Sequence, residues 1–243
     1  MSTKNTCIKV SDFTKKYADK TACLKISFKT EENSITGILG ANGAGKTTLL
    51  KALCAIHMPT EGSIEICGLK EPSEIRKITG YVKENSNLDE NLTVKETLFF
   101  QQDLFSVSEN IREELFESAV KMCELKDVLF AKCGTLSKGY RQRVSLAKAI
   151  CQNPKVLILD EVFSGLDPIQ IIHIRTELKK LSQAKTIIFS THTIEDAASL
   201  CDKILVMANG EVRAYGTSQE LISLTKTKSL EEAFINLTSG NKK

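Results

Sequence analysis

The sequence predicts an α/β fold: a mostly parallel sheet covered on both faces by helices, an antiparallel β flank near its N-terminal end, and a helical subdomain inserted in its middle. Three observations carry that reading. The apolar runs "KVLILD", "KTIIFS" and "DKILVMA" have strand length, lack polar alternation and are separated by helical stretches, as buried parallel strands are. Roughly the first sixty residues instead hold shorter, partly alternating runs with turn residues between them. From about Asn91 to Gln152 strand signals vanish and helical periodicity takes over.

Taken in chain order, "IKVSDF", "CLKISFKT" and the later "GSIEICG" are the strands of the antiparallel flank. "SITGILG" is a strand that runs into a glycine-rich turn, and "KTTLLKALCAI" is the helix that follows it. In the middle block "TVKETLFFQQDLF", "NIREELFESAVKMCEL" and "YRQRVSLAKAICQ" place apolar residues at helical spacing, which sets the inserted subdomain at about residues 88–152. The three apolar strands and their helices come next. Near the end, "TSQELISLT" and "SLEEAFINLT" each start on Ser or Thr with an acidic residue three positions on, a capping-box pattern. The expected division is one domain over residues 1–228, followed by a short C-terminal helix and tail over 229–243.

Bulk properties narrow the class. A chain of 243 residues with 42% hydrophobic and 26% charged residues suits a soluble globular protein with a sizeable core. The net charge of +3 is small and its cations are dispersed, so no nucleic-acid partner is expected. The eight cysteines form no C-x-x-C pair and no zinc-like spacing, and read as small buried hydrophobes in a reducing compartment. The opening "MSTKNTCIKVSDFTKK" is too polar for a secretory leader. Apolar runs such as "VLIL" fall short of the ~20 residues of a membrane span, so a cytoplasmic location is expected.

"GANGAGKTT", Gly40 to Thr48, fits G-x-x-x-x-G-K-[ST] with Gly40, Gly45, Lys46 and Thr47 at the fixed positions. Glycines let backbone N–H groups curl round phosphate oxygens, Lys46 brings a mobile charge to the β- and γ-phosphates, and the Thr47 hydroxyl faces Mg²⁺. With Asn42, Gly43, Ala44 and Thr48 these residues make the predicted ATP-binding loop of a P-loop NTPase (RecA-like) core. "KVLILDE" then runs an apolar strand into Asp160 and Glu161, placing Asp160 to hold Mg²⁺ and Glu161 to polarise an attacking water. A second helix mouth opens at "LSKGYRQRV", residues 136–144; its polar start and cations read as an anion site apart from the phosphate loop.

The ensemble resembles the nucleotide-binding subunit of an ATP-binding cassette (ABC) transporter over nearly the whole chain. "GANGAGKTT" resembles the family's Walker A motif, "VLILDE" its Walker B, "LSKGYRQRV" its signature, "SGLD" (Ser164 to Asp167) its D-loop, and "STH" its switch histidine, His192. What the resemblance implies is an ATPase with Glu161 as general base, His192 on the γ-phosphate, and Tyr17 stacked on adenine. His57 and His173 have no such context and read as structural. It further implies a head-to-tail dimer with a second copy or a paralogous subunit, in which Ser137, Lys138 and Gly139 meet the ATP held by the other chain and Asp167 lies at the interface. It implies an integral membrane permease as partner, and hence a place on the cytoplasmic face of the membrane.

Three positions depart from the family pattern. Glu84 stands where a metal-sensing glutamine is usual, Lys138 where the signature has its first glycine, and Val162 where proline follows Walker B. The tail "GEVRAYGTSQELISL…SLEEAFINLT" resembles ABC-2-type exporters, which makes export the expected direction. An importer, or a non-transport cassette acting on ribosomes or DNA, is the alternative.

Overall fold

In the computed structural model a six-stranded sheet runs through the centre of the molecule in the order β5-β6-β7-β3-β8-β9. The model describes residues 5–85 and 87–239; the start of the polar N-terminal stretch and the end of the predicted tail, residues 240–243, lie outside the described residues. The central strands β3 (Ile35–Leu39), β6 (Val156–Asp160) and β7 (Thr186–Thr191) are buried at every position. That is why their sequences are apolar without alternation: both faces are covered, so no position returns to water. Their parallel register places Ile187 beside both Ile35 and Leu157. β5 (Thr79–Val82) and β8 (Lys203–Ala208) extend the parallel array, and β9 (Glu211–Gly216) closes one edge antiparallel to β8.

The flank is a second sheet, antiparallel, in the order β2-β1-β4, with β1 Thr6–Tyr17, β2 Lys20–Glu31 and β4 Glu61–Ile66. Its Ile8, Phe13, Ile26 and Ile66 are buried with Leu49, Leu50 and Leu53 of α1 (Lys46–Leu53), so the flank packs over the helix that follows the phosphate loop.

Between β5 and β6 come α3 (Val94–Leu104), α4 (Glu109–Met122) and α5 (Lys138–Cys151), the helical insert that the sequence predicts. Leu98, Phe116, Val120, Val144 and Ala147 pack together there, and Phe99 stacks on Phe116 at 4.7 Å between ring centroids. α3 starts in a capping box of Thr93 and Glu96.

Behind β6 and β7 lie α6 (Pro168–Leu181) and α7 (Ile194–Leu200), and after β9 come α8 (Ser218–Thr225) and α9 (Leu230–Ser239). Both terminal caps follow the sequence pattern: Thr217 with Glu220 in a capping box, and Ser229 accepting from the Glu232 amide at 3.2 Å. Leu230 and Ala233 of α9 are buried with Ile204, Val206 and Leu221, so α9 packs on the main sheet. α2 (Pro72–Ile78), β5 and β9 carry no distinct sequence signal: each has only four to seven residues, too few to show a period. Among the described residues no helix is long and apolar enough to cross a membrane.

Candidate active site

The parallel strands all point their C-terminal ends at one rim, and the phosphate loop leaves β3 there. At Gly40 a Cβ would sit 2.5 Å from the Met207 carbonyl oxygen, so only glycine lets the loop pass β8. Gly45 has φ 102° and lies so close to Ala22 that a Cβ would meet its carbonyl oxygen at 2.6 Å. Gly45 is the N-cap of α1 and offers no side chain to cap it. The first amides of that helix therefore face the loop without a side-chain acceptor, the arrangement that receives an anion.

Lys46 is buried and its Nζ donates to the carbonyls of Gly40 at 2.9 Å and Ala41 at 3.3 Å. The same Nζ lies 3.3 Å from Glu161 Oε1, and Glu161 Oε2 lies 2.7 Å from His192 Nδ1. The three residues form one polar chain across the ends of β3, β6 and β7. Glu161 reaches it from a left-handed backbone, φ 50°, a conformation that costs of order 1–3 kcal/mol in a residue with a Cβ. Ser190 fixes the turn: its hydroxyl donates to Asp160 Oδ1 at 2.6 Å and accepts from the Glu161 amide at 3.1 Å. Asp160 is buried, and the Tyr81 hydroxyl donates to its second oxygen at 3.4 Å. Burial and the Asp160 charge push the Tyr81 phenol well above its ordinary value, which keeps it a proton donor.

A cavity of about 550 Å³ opens over the loop, lined by Asn42, Gly43, Gly45, Lys46, Thr47 and Thr48, with Glu84 and Glu161 opposite. Gly40, Ala44 and Asp160 stand behind this wall rather than in it. Sequence reasoning missed the rest of the lining: Lys20, Thr21 and Ala22 at the start of β2, and Asn209 with Gly210 in the β8–β9 turn. Gly210 clamps the loop, its amide donating to Ala44 O at 3.0 Å while its carbonyl accepts from the Leu24 amide at 2.8 Å. The Asn-Gly pair marks a hairpin in the sequence, but nothing in it points to phosphate.

Tyr17 does not line this cavity. It is exposed at the end of β1, edge-on to His57 with ring centroids 5.7 Å apart, and the Lys15 ammonium lies 5.2 Å from its ring centroid. His173 Nε2 meets the Met122 carbonyl at 3.0 Å, tying α6 to the end of α4.

The second helix mouth differs from its sequence picture. Ser137 is the N-cap of α5 and accepts from the Tyr140 amide at 3.3 Å. Each of the three cations has a partner inside the chain. Arg141 donates to Gly134 O at 2.7 Å, Arg143 to Cys123 O and Glu124 O at 3.1 Å, and Lys138 to Ser164 Oγ at 3.4 Å. The Lys138 stem covers Gly165, and Gly139 approaches the Gly165 carbonyl so closely that a Cβ would meet it at 3.1 Å. Asp167 caps α6 through the Gln170 amide at 2.9 Å. Val162, where proline is usual, is buried in the core. Glu161 also borders a second cavity, of about 520 Å³, shared with His192, Ser164 and Arg175.

A phosphate loop whose lysine meets a strand-end glutamate, on the rim of a parallel sheet with a helical insert, defines a nucleotide-hydrolysing P-loop protein. Comparison with known proteins narrows the class. The ABC transporter family model matches residues 23–164. The Nod factor export ATP-binding protein I of Burkholderia orbicola is 38% identical over 213 residues, which are 86% of this chain and 70% of that protein. Among solved structures, an ATP-binding subunit of an ABC transporter superposes with a TM-score of 0.89 at 27% identity, covering 95% of this chain and 99% of that one. A dimeric ATP-binding cassette in a post-hydrolysis state with ADP and Pi superposes with a TM-score of 0.79 at 28% identity, covering 86% and 98%. The chain belongs to the ABC transporter family. It is an ATP-binding, ATP-hydrolysing subunit of such a transporter.

Proposed function

We propose that this subunit works as a head-to-tail dimer, with itself or a paralogous cassette, that traps two ATP molecules and drives a separate integral membrane subunit in export. In that reading the phosphate loop holds the nucleotide of its own chain, and Ser137, Lys138 and Gly139 face the γ-phosphate of the other. The observation that carries it is the Lys46–Glu161–His192 chain at 3.3 and 2.7 Å beside a cavity with an uncapped helix N-terminus.

Glu161 is the general base. With nucleotide bound, Lys46 turns from its carbonyl partners to phosphate, which frees a carboxylate to take a proton from water. His192, on the far oxygen of that carboxylate, orients it. Thr47, Asp160 and Glu84 are the residues that would hold Mg²⁺, and their oxygen-only character fits an ion that takes one or two protein oxygens beside phosphate and keeps its waters. The ion supplies charge neutralisation at the phosphates. Tyr17, exposed beside His57 and Lys15, is the residue that would stack on adenine. In this reading the ATPase domain is residues 1–228, and α9 is an appendage that packs on it. The export direction is supported by the name of the Burkholderia relative. Through its membrane subunit the protein sits on the cytoplasmic face.

The test is Glu161→Gln. It should abolish ATP turnover, retain ATP binding, and accumulate an ATP-bound dimer on size exclusion; near-wild-type hydrolysis would overturn the assignment of the base.

A further inference from the structure

Two cysteines meet at the flank, Cys7 on β1 and Cys67 in the turn after β4, and the ATPase reaction uses neither. The β1–β4 ladder pairs Ile8 with Ile66 and Lys9 with Glu65. One more step of that register sets Cys7 opposite Cys67. The Cys67 amide donates to the Cys7 carbonyl at 2.6 Å, and the two Sγ atoms lie 3.2 Å apart. To bond, the sulfurs need close only from 3.2 Å to the ~2.05 Å of a disulfide. Their surroundings differ: Cys7 is buried in the core, whereas Cys67 is half-buried in the turn after β4. Of the two, Cys67 is the more accessible residue.

We propose that Cys7 and Cys67 are a redox-modifiable pair that closes to a reversible disulfide, with a low-molecular-weight disulfide as the oxidant. The Cys67 thiolate attacks one sulfur of the small disulfide and displaces one small thiolate. Cys7 then loses its proton and attacks Cys67 Sγ, displacing the second small thiolate. The two protein thiols give up two electrons and two protons, and the small disulfide is reduced to two thiols.

The order of attack follows from the environment. The hydrogen bond with Cys7 and the Lys155 ammonium pull the more accessible Cys67 thiol down, against partial burial and Glu32. Sharing that hydrogen bond and being buried push Cys7 up. Burial likewise pushes Cys23, Cys54, Cys123, Cys151 and Cys201 up. The pair sits near Thr186 and Lys155, which precede or begin parallel strands, and so lies at the end of the sheet away from the phosphate loop. Neither cysteine lines the nucleotide cavity. The bridge would close a loop containing β2, β3 and α1 and tie the flank against unfolding.

The purified full chain is exposed to oxidised glutathione, alkylated without reduction, and mapped by peptide mass. Wild type should yield a Cys7–Cys67 linked peptide that is two hydrogens lighter than the thiol pair and is split by dithiothreitol. Cys7→Ala should stop at a glutathione adduct on Cys67, and Cys67→Ser should give neither product. Oxidised wild type should also unfold at a higher temperature than the reduced form, with no such shift in either variant. Two free thiols after treatment, a glutathione adduct that persists on Cys67 in wild type, or pairing with another cysteine would each overturn the proposal. The wild-type map decides it even where a variant folds poorly.

Discussion

The N-termini of α1 and α5, the two anion mouths that the sequence suggests, are prepared in opposite ways. α1 begins at Gly45, which brings no capping side chain, and its lysine lies folded on the loop's own carbonyls and on Glu161. α5 begins at Ser137, whose hydroxyl already accepts from the Tyr140 amide, with its cations committed to neighbouring elements. The first mouth presents backbone amides without a side-chain cap beside a buried lysine. The second is capped by its own side chain, and in the dimer proposed above it would exchange that internal hydrogen bond for one to phosphate. That asymmetry suits a protein that binds nucleotide as a single chain and uses the bound nucleotide to recruit another.

The sharpest break in the comparison is Lys46→Ala. It removes the buried cation of the first mouth and takes from Glu161, a mostly buried carboxylate, one of two partners, leaving His192. Loss of a charge-assisted hydrogen bond of ~1.5–3 kcal/mol predicts ATP binding weaker by roughly 10- to 100-fold. Isothermal titration checks it, and unchanged affinity would remove Lys46 from the site.

Ser137→Ala acts on the other mouth and should separate the two. ATP affinity of the isolated chain stays as it is, because Ser137 does not line the phosphate-loop cavity. ATP-driven dimerisation should fall by about tenfold, the worth of one hydrogen bond to a charged group, and helix α5 should lose ~1 kcal/mol of capping. Ser137→Thr keeps the cap, so a loss of ATP-driven dimerisation in the alanine variant alone, read by analytical ultracentrifugation, assigns the effect to the hydroxyl.

The contrast between the mouths also shows what a sequence reveals. The first was legible residue by residue, since Gly40, Gly45, Lys46 and Thr47 act through backbone and charge at fixed spacing. The strands β3, β6 and β7 were legible for a similar reason, because burial on both faces leaves one kind of pattern. At the second mouth the linear string groups three cations at a helix start, whereas folding turns Arg141 and Arg143 to carbonyls of Gly134 and Cys123. Asn209 and Gly210 were missed because their part in the cavity comes from a strand pairing distant in sequence. The Cys7–Cys67 approach was hidden likewise: spacing along the chain says nothing of a cross-strand register.

The smallest effect is expected at Lys138, the position where a glycine would serve the second mouth most simply. Its ammonium reaches Ser164 and its stem lies over Gly165, so it joins the signature helix to the loop that leads into α6. Two contributions can be told apart with two variants. Lys138→Met keeps an apolar stem over Gly165 and removes the charge, while Lys138→Gly removes both. An exposed polar contact is worth up to ~1 kcal/mol, so Lys138→Met should change turnover by less than about fivefold and flatten its dependence on salt. Lys138→Gly should flatten the salt dependence equally and, by freeing Gly165, change turnover further. Steady-state hydrolysis over a salt series distinguishes them. Identical turnover in the two variants would leave charge as the whole contribution, and an unaltered salt slope in both would leave only the stem.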